Sequence, residues 1–144
     1  MQTLFNLAPK VEYIFGMPDK NKKSVLIVDD NRDAADTLAI LIRMAGCEAS
    51  VAYDTETGIT LAHASPPDII FHDIGMPIIN GYEAARIFRG SEKFADTILI
   101  AVTAYDATED HRRAKSAGFD SHMSKPIEFE DLKEVLSRPK PPTQ

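Results

Sequence analysis

The chain has 144 residues with 44% hydrophobic and 26% charged content, enough for one globular domain with a real core. Its net charge of −6 and pI of 5.1 argue against a dedicated nucleic-acid surface, which is normally basic. No apolar run approaches the ~18 residues of a membrane span, and the N-terminus lacks the basic start and long apolar core of a signal peptide.

Residues 1–23 stand apart as an extension or linker. Leu4, Phe5, Leu7, Val11, Tyr13, Ile14 and Phe15 are apolar, but Pro9, Gly16 and Pro18 interrupt them, and Lys20 to Lys23 is polar. From Ser24 the chain alternates. A first strand is expected over 24–29. A helix follows from about Arg32 to Ala45, with Ala34, Leu38, Leu41, Ile42 and Ala45 at helical spacing, and Gly46 stops it. Next come a strand at 48–52, a helix over 55–64 capped by Asp54, and a strand at 68–73 after Pro66-Pro67. A loop from Ile74 to Ile79 leads to a helix opened by Asn80 or Gly81 and running to about Arg89. A strand at 97–102, a helix over 109–117 capped by Thr108, a strand at 119–123 and a last helix at 128–137 complete the pattern. Residues 138–144 form a proline-rich tail unfit for helix.

Five βα units with nearly continuous apolar strands predict a doubly wound α/β fold, a five-stranded parallel sheet covered on both faces. Ligands of such sheets bind beyond the carboxyl ends of the strands. Five polar residues fall there: Asp29 and Asp30, Asp73, Thr103 and Lys125. Three neighbouring carboxylates repel one another, and a divalent cation relieves that repulsion. The single Cys47 reads as a small buried hydrophobe, and one cysteine makes no internal disulfide. His72 alternates to the strand face opposite Asp73 and reads as a hydrogen-bonded, buried or half-buried histidine. His63 and His111 read as solvated helix positions.

With these residues in place the sequence resembles the receiver domains of two-component response regulators, over roughly residues 24–137. The matching residues are Asp29-Asp30, Asp73 within Asp73-Ile74-Gly75-Met76-Pro77, Thr103-Ala104 and Lys125-Pro126, in the family's order. Thr103 lies thirty positions after Asp73, and Lys125 twenty-two after Thr103. The resemblance implies a flavodoxin-like three-layer αβα sandwich with strand order 2-1-3-4-5. It implies that Asp73 accepts a phosphoryl group from a sensor histidine kinase or a histidine phosphotransfer protein. Mg²⁺, with Mn²⁺ as substitute, would be held by Asp30, Asp73 and the Gly75 backbone carbonyl, with Asp29 acting through water. Lys125 would pair with a phosphoryl oxygen, Thr103 and Ala104 would contact the phosphorylated state, and the bond before Pro126 would be cis. The site would phosphorylate and dephosphorylate itself without being an enzyme in the ordinary sense.

Where the family usually has Tyr or Phe as its switch residue, three positions before the lysine, this chain has His122. That departure puts the usual aromatic switch in doubt, though not phosphorylation. Gly75 and Tyr105 occupy positions that tune phosphoryl lifetime in the family, and a slow to moderate self-dephosphorylation is expected. The resemblance further implies a cytoplasmic protein, signalling through the fourth helix, fifth strand and fifth helix, a face open to homodimerisation. The chain stops within about ten residues of the last helix, so no output domain is expected. A stand-alone receiver and the C-terminal receiver of a hybrid sensor kinase both fit. Two other classes fit the sequence less well. A Mg²⁺ phosphohydrolase using an aspartyl phosphate would place its second acid two positions after its nucleophile, whereas 29–30 are adjacent and residue 31 is Asn. A non-phosphorylated scaffold of the same fold is disfavoured by the intact set of five residues.

Overall fold

The computed structural model describes residues 22–104 and 108–139. Strands β1 (Ser24–Val28), β2 (Glu48–Ala52), β3 (Ile69–Asp73), β4 (Ile98–Thr103) and β5 (Ser121–Ser124) alternate with helices α1 (Arg32–Met44), α2 (Thr55–Ala64), α3 (Gly81–Arg89), α4 (Thr108–Ala117) and α5 (Phe129–Ser137). A 3₁₀ turn, Glu92–Phe94, precedes β4. All strand pairs are parallel, in the order β2-β1-β3-β4-β5.

Alternation along the strands divides the core into two layers. Val25, Ile27, Phe71, Ile100 and Val102 face α1 and α5, meeting Leu38, Ile42, Leu132 and Leu136. Leu26, Val28, Ile70, Leu99 and Ala101 face the opposite way, toward Ala62 of α2, Ala84, Ala85 and Phe88 of α3, and Ala114 and Ala117 of α4. Each fully buried branched or aromatic side chain contributes about 1.5–3 kcal/mol of apolar transfer. Among its described side chains α4 gives this layer the two buried alanines Ala114 and Ala117, so it adds little apolar area there.

Helix starts follow the local chemistry. Asn31 caps α1 through Ala34 N, Asp54 caps α2 through Thr57 N, and Asn80 with Glu83 forms a capping box on α3. The helix expected to follow a Thr108 cap instead begins at Thr108 itself.

Several boundaries differ from the predicted ones by a residue or two: β1 ends at Val28, β3 starts at Ile69, β4 runs Ile98–Thr103 and α5 starts at Phe129. β5 was expected at 119–123 and starts at Ser121. Gly118 sits at φ +119°, turning the chain, and the Asp120 carboxylate accepts from Leu99 N at 2.8 Å and from Arg89 at 2.6 Å. Its side chain thus occupies the sheet end that strand backbone would otherwise pair. On α1 the buried face is Ala35, Leu38, Ala39 and Ile42, whereas Ala34, Leu41 and Ala45 are only half-buried. Leu41 and Ala45 pack at the edge of the core layer, and Ala34 and Leu41 also line the groove above β1. Cys47 is likewise half-buried, its thiol pKa raised chiefly by that burial.

Candidate functional site

The parallel registers bring the carboxyl ends of β1, β3, β4 and β5 side by side. Asp29 N donates to Ala52 O, Ile74 N to Val102 O and Lys125 N to Thr103 O, so each strand is gripped by its neighbour just where the polar residues begin. Asp29, Asp30 and Asp73 consequently present carboxylate oxygens within 4.8 Å of one another, among the described residues the one such group of three or more potential metal ligands.

The three acids differ in environment. Asp29 is buried, at 5% exposure; its Oδ1 accepts from Asn31 N at 2.9 Å and its Oδ2 pairs with Lys125 Nζ at 2.9 Å. Asp73 is partly buried; its Oδ1 accepts from Gly75 N at 3.1 Å, and its Oδ2 lies 3.6 Å from the same ammonium. Asp30 is exposed. Burial is the largest influence on Asp73 and raises its carboxyl pKa. The Gly75 amide and Lys125 oppose this, while the charge of Asp29 adds to it. Burial works to lower the Lys125 pKa, but the bond to Asp29 and the charges of Asp73 and Asp29 outweigh it, and the net shift is upward. One ammonium against three acids leaves excess negative charge, the electrostatic condition for a divalent cation. An all-oxygen donor set suits a hard one.

Thr103 ends β4 and is 7% exposed, and Ala104 beside it is exposed. Gly75 is exposed in the loop after β3, and a Cβ there would meet only Asp73 Oδ1, at 3.8 Å. The Lys125–Pro126 bond is cis. Asp29, Asp73, Lys125 and Pro126 line one end of a cavity of about 530 Å³, which continues between α1 and the segment after β5 over Leu38, Leu41 and Ile127. Tyr105 lies outside the described residues. Gly81 packs against the site from below. A Cβ on it would fall 2.7 Å from Ile74 Cα and 2.8 Å from Asp73 O, so α3 approaches the Asp73 backbone as closely as only glycine allows.

The two histidines read apart in the sequence meet. His111 of α4 is half-buried rather than solvated, and its ring stacks on that of the exposed His122 of β5, centroids 3.5 Å apart at 26°. His63 is exposed but sets its ring edge against Phe94, at 4.9 Å. His72 is 1% exposed; burial pushes its pKa down to about 4, so it is neutral at neutral pH. Its Nδ1 donates to Asp73 O at 2.8 Å, which fixes the tautomer, and its Nε2 lies 3.5 Å from Thr55 Oγ1. The Thr55 hydroxyl donates to Ile79 O at 2.8 Å. Nothing in the local sequence singled out Thr55 or Ile79, because both reach the site through the fold.

The model of the response regulator receiver domain matches residues 25–137. The chain belongs to that family. PilG of Pseudomonas aeruginosa is 28% identical over 108 residues, spanning 75% of this chain and 80% of that protein. Hybrid signal transduction histidine kinase L of Dictyostelium discoideum is 32% identical over 127 residues, covering 84% of this chain but 7% of the kinase. Among solved structures, the receiver domain of the sensor histidine kinase PA1611 of Pseudomonas aeruginosa, with magnesium coordinated in its active-site cleft, superposes with a TM-score of 0.73 at 25% identity. That match covers 80% of this chain and 94% of that one. The chain is therefore a receiver domain, of a kind found both alone and within hybrid kinases.

Proposed function

We propose that Asp73 is the phosphoacceptor of this receiver domain and that Mg²⁺ is its cofactor. The observation that carries the reading is the convergence of Asp29, Asp30 and Asp73 within 4.8 Å, with Lys125 on Asp29 and Asp73. Asp30, Asp73 and the Gly75 carbonyl would hold the ion, and Asp29, engaged by Lys125, would act through water. When bound, the ion supplies positive charge beside the oxygens of the transferring phosphoryl group. The magnesium of the PA1611 receiver supports this choice, and Mn²⁺ is the expected substitute.

An Asp73 carboxylate oxygen attacks phosphorus of a partner phosphohistidine. The new O–P bond forms as the N–P bond breaks, and the imidazole leaves with the electron pair. Lys125 turns from the carboxylate to a phosphoryl oxygen, and Thr103 and Ala104 close on another. The donor is a sensor histidine kinase or a histidine phosphotransfer protein, and the setting is cytoplasmic. Among the described residues no helix is long and apolar enough to cross a membrane. The chain stores a signal and does not turn over a substrate. α4, its His111–His122 stack on β5, and α5 form the face offered to a downstream partner or a second copy. Gly75 and Tyr105 set a slow to moderate phosphoryl loss, and complete hydrolysis within seconds would contradict that.

Mass spectrometry after incubation with Mg²⁺ and acetyl phosphate tests the reading. One added phosphoryl group is expected, absent in Asp73→Asn and absent when the metal is chelated. An inert Asp73 would support a scaffold, and catalytic turnover of phosphomonoesters a hydrolase.

A further inference from the structure

β3 is covered on both faces, and its other covered positions, Ile69, Ile70 and Phe71, are apolar. His72 breaks that pattern. An imidazole placed there gives up hydration that Leu or Val would never have had, so filling space does not account for it. What it touches does. Nδ1 grips the Asp73 carbonyl at 2.8 Å, Nε2 packs at 3.5 Å on Thr55 Oγ1, and that hydroxyl grips the Ile79 carbonyl at 2.8 Å. Thr55 is the first residue of α2 and 3% exposed. Two separate buried hydrogen bonds, from His72 to the Asp73 carbonyl and from Thr55 at the start of α2 to the Ile79 carbonyl, thus hold the two ends of the loop between β3 and α3, with the ring and the hydroxyl only in van der Waals contact.

That loop needs holding. It carries Gly75 and includes Ile78, a β-branched residue at φ +68° that is 95% exposed and gains no burial from its position. A β-branched residue in the left-handed region is strained, so the loop keeps its path only where surrounding contacts impose it.

We propose that His72 and Thr55 are a pair of positioning residues for the cation site, holding the Asp73 and Ile79 carbonyls so that the Asp73 carboxylate and the Gly75 carbonyl face one ion. The inference rests on the Mg²⁺ reading above and adds to it two residues that touch neither metal nor phosphoryl group. Hydrogen bonds that orient metal ligands are typically worth 10–100-fold in affinity. Here the grip is on backbone, and the low end of that range applies.

The experiment is calorimetric Mg²⁺ titration of the full chain, with amide exchange over residues 74–80 in the absence of metal and urea unfolding in parallel. His72→Leu and Thr55→Val are each expected to weaken Mg²⁺ binding about tenfold and to speed exchange across the loop while the chain stays folded. His72→Asn, whose side-chain amide reaches the place of Nδ1, is expected to restore most of the affinity. Thr55→Val keeps volume and removes only a hydroxyl, so it carries the test if His72→Leu unfolds. Wild-type affinity and exchange in the variants, with at most a lower urea midpoint, would overturn the positioning role. A wild-type chain that binds no Mg²⁺ would instead overturn the cation site itself.

Discussion

Lys125 Nζ stands 2.9 Å from Asp29 Oδ2 and 3.6 Å from Asp73 Oδ2. The lysine is held mainly by the buried acid that is not the proposed phosphoacceptor. Asp29 is anchored on its other oxygen by Asn31 N, so it serves as a fixed post. The ammonium can leave Asp73 for an incoming oxyanion without losing its stronger partner.

Lys125 and a cation therefore share the same negative charge. Removing the ammonium in Lys125→Met takes one positive charge from the site, and Mg²⁺ binding is expected to tighten about tenfold, 1.4 kcal/mol at a protein-like dielectric. Phosphoryl gain from acetyl phosphate should fall in the same variant, because the compensating charge for the transferred group is gone. Calorimetry beside mass spectrometry reads both, and an unchanged or weaker Mg²⁺ affinity would refute the sharing.

His72 makes stability depend on pH. Its pKa falls from an ordinary 6.5 unfolded to about 4 folded, because burial disfavours the imidazolium. Between those values the unfolded chain binds the extra proton, so folding is penalised as pH drops. The stability due to the neutral ring is complete above pH 6.5 and is lost as pH falls toward 4. Urea unfolding without metal should show the wild type losing about 3 kcal/mol more than His72→Leu across that window. Parallel curves for the two proteins would contradict this.

Ile78 stores backbone strain with no packing return. Ile78→Gly removes the left-handed penalty, partly offset by glycine's larger chain entropy, and is expected to stabilise the protein by about 0.5–1 kcal/mol. A higher urea midpoint at unchanged slope is the readout. A lower midpoint would mean that the side chain has a partner on the folded surface.

The alternation of apolar runs with helical periods was legible along the chain because it is local: each strand and helix advertises its own covered faces. The carboxyl-end residues Asp29, Asp30, Asp73, Thr103 and Lys125 were legible for a related reason, since each closes or follows a strand whose direction the crossover rule sets. The start of β5 was misplaced because the Asp120 carboxylate, bonded to Leu99 N and Arg89, stands in for strand backbone. On α1, Leu38 and Ile42 are buried as their spacing predicts and Leu41 and Ala45 pack at the edge of the core, while Ala35 and Ala39 join the buried face because helical spacing defines a stripe and not its exact rotation over the sheet.

The sequence by itself determined the fold class, the ends of the strands and the inventory of acids, a lysine and a threonine that meet there. Only the tertiary structure decided that Lys125 rests on Asp29, that His111 stacks on His122, and that His72 and Thr55 grip the backbone around Asp73. The first set follows from covalent neighbours and their periodicity. The second joins side chains from different elements, and ångström distances there depend on how whole helices seat on the sheet.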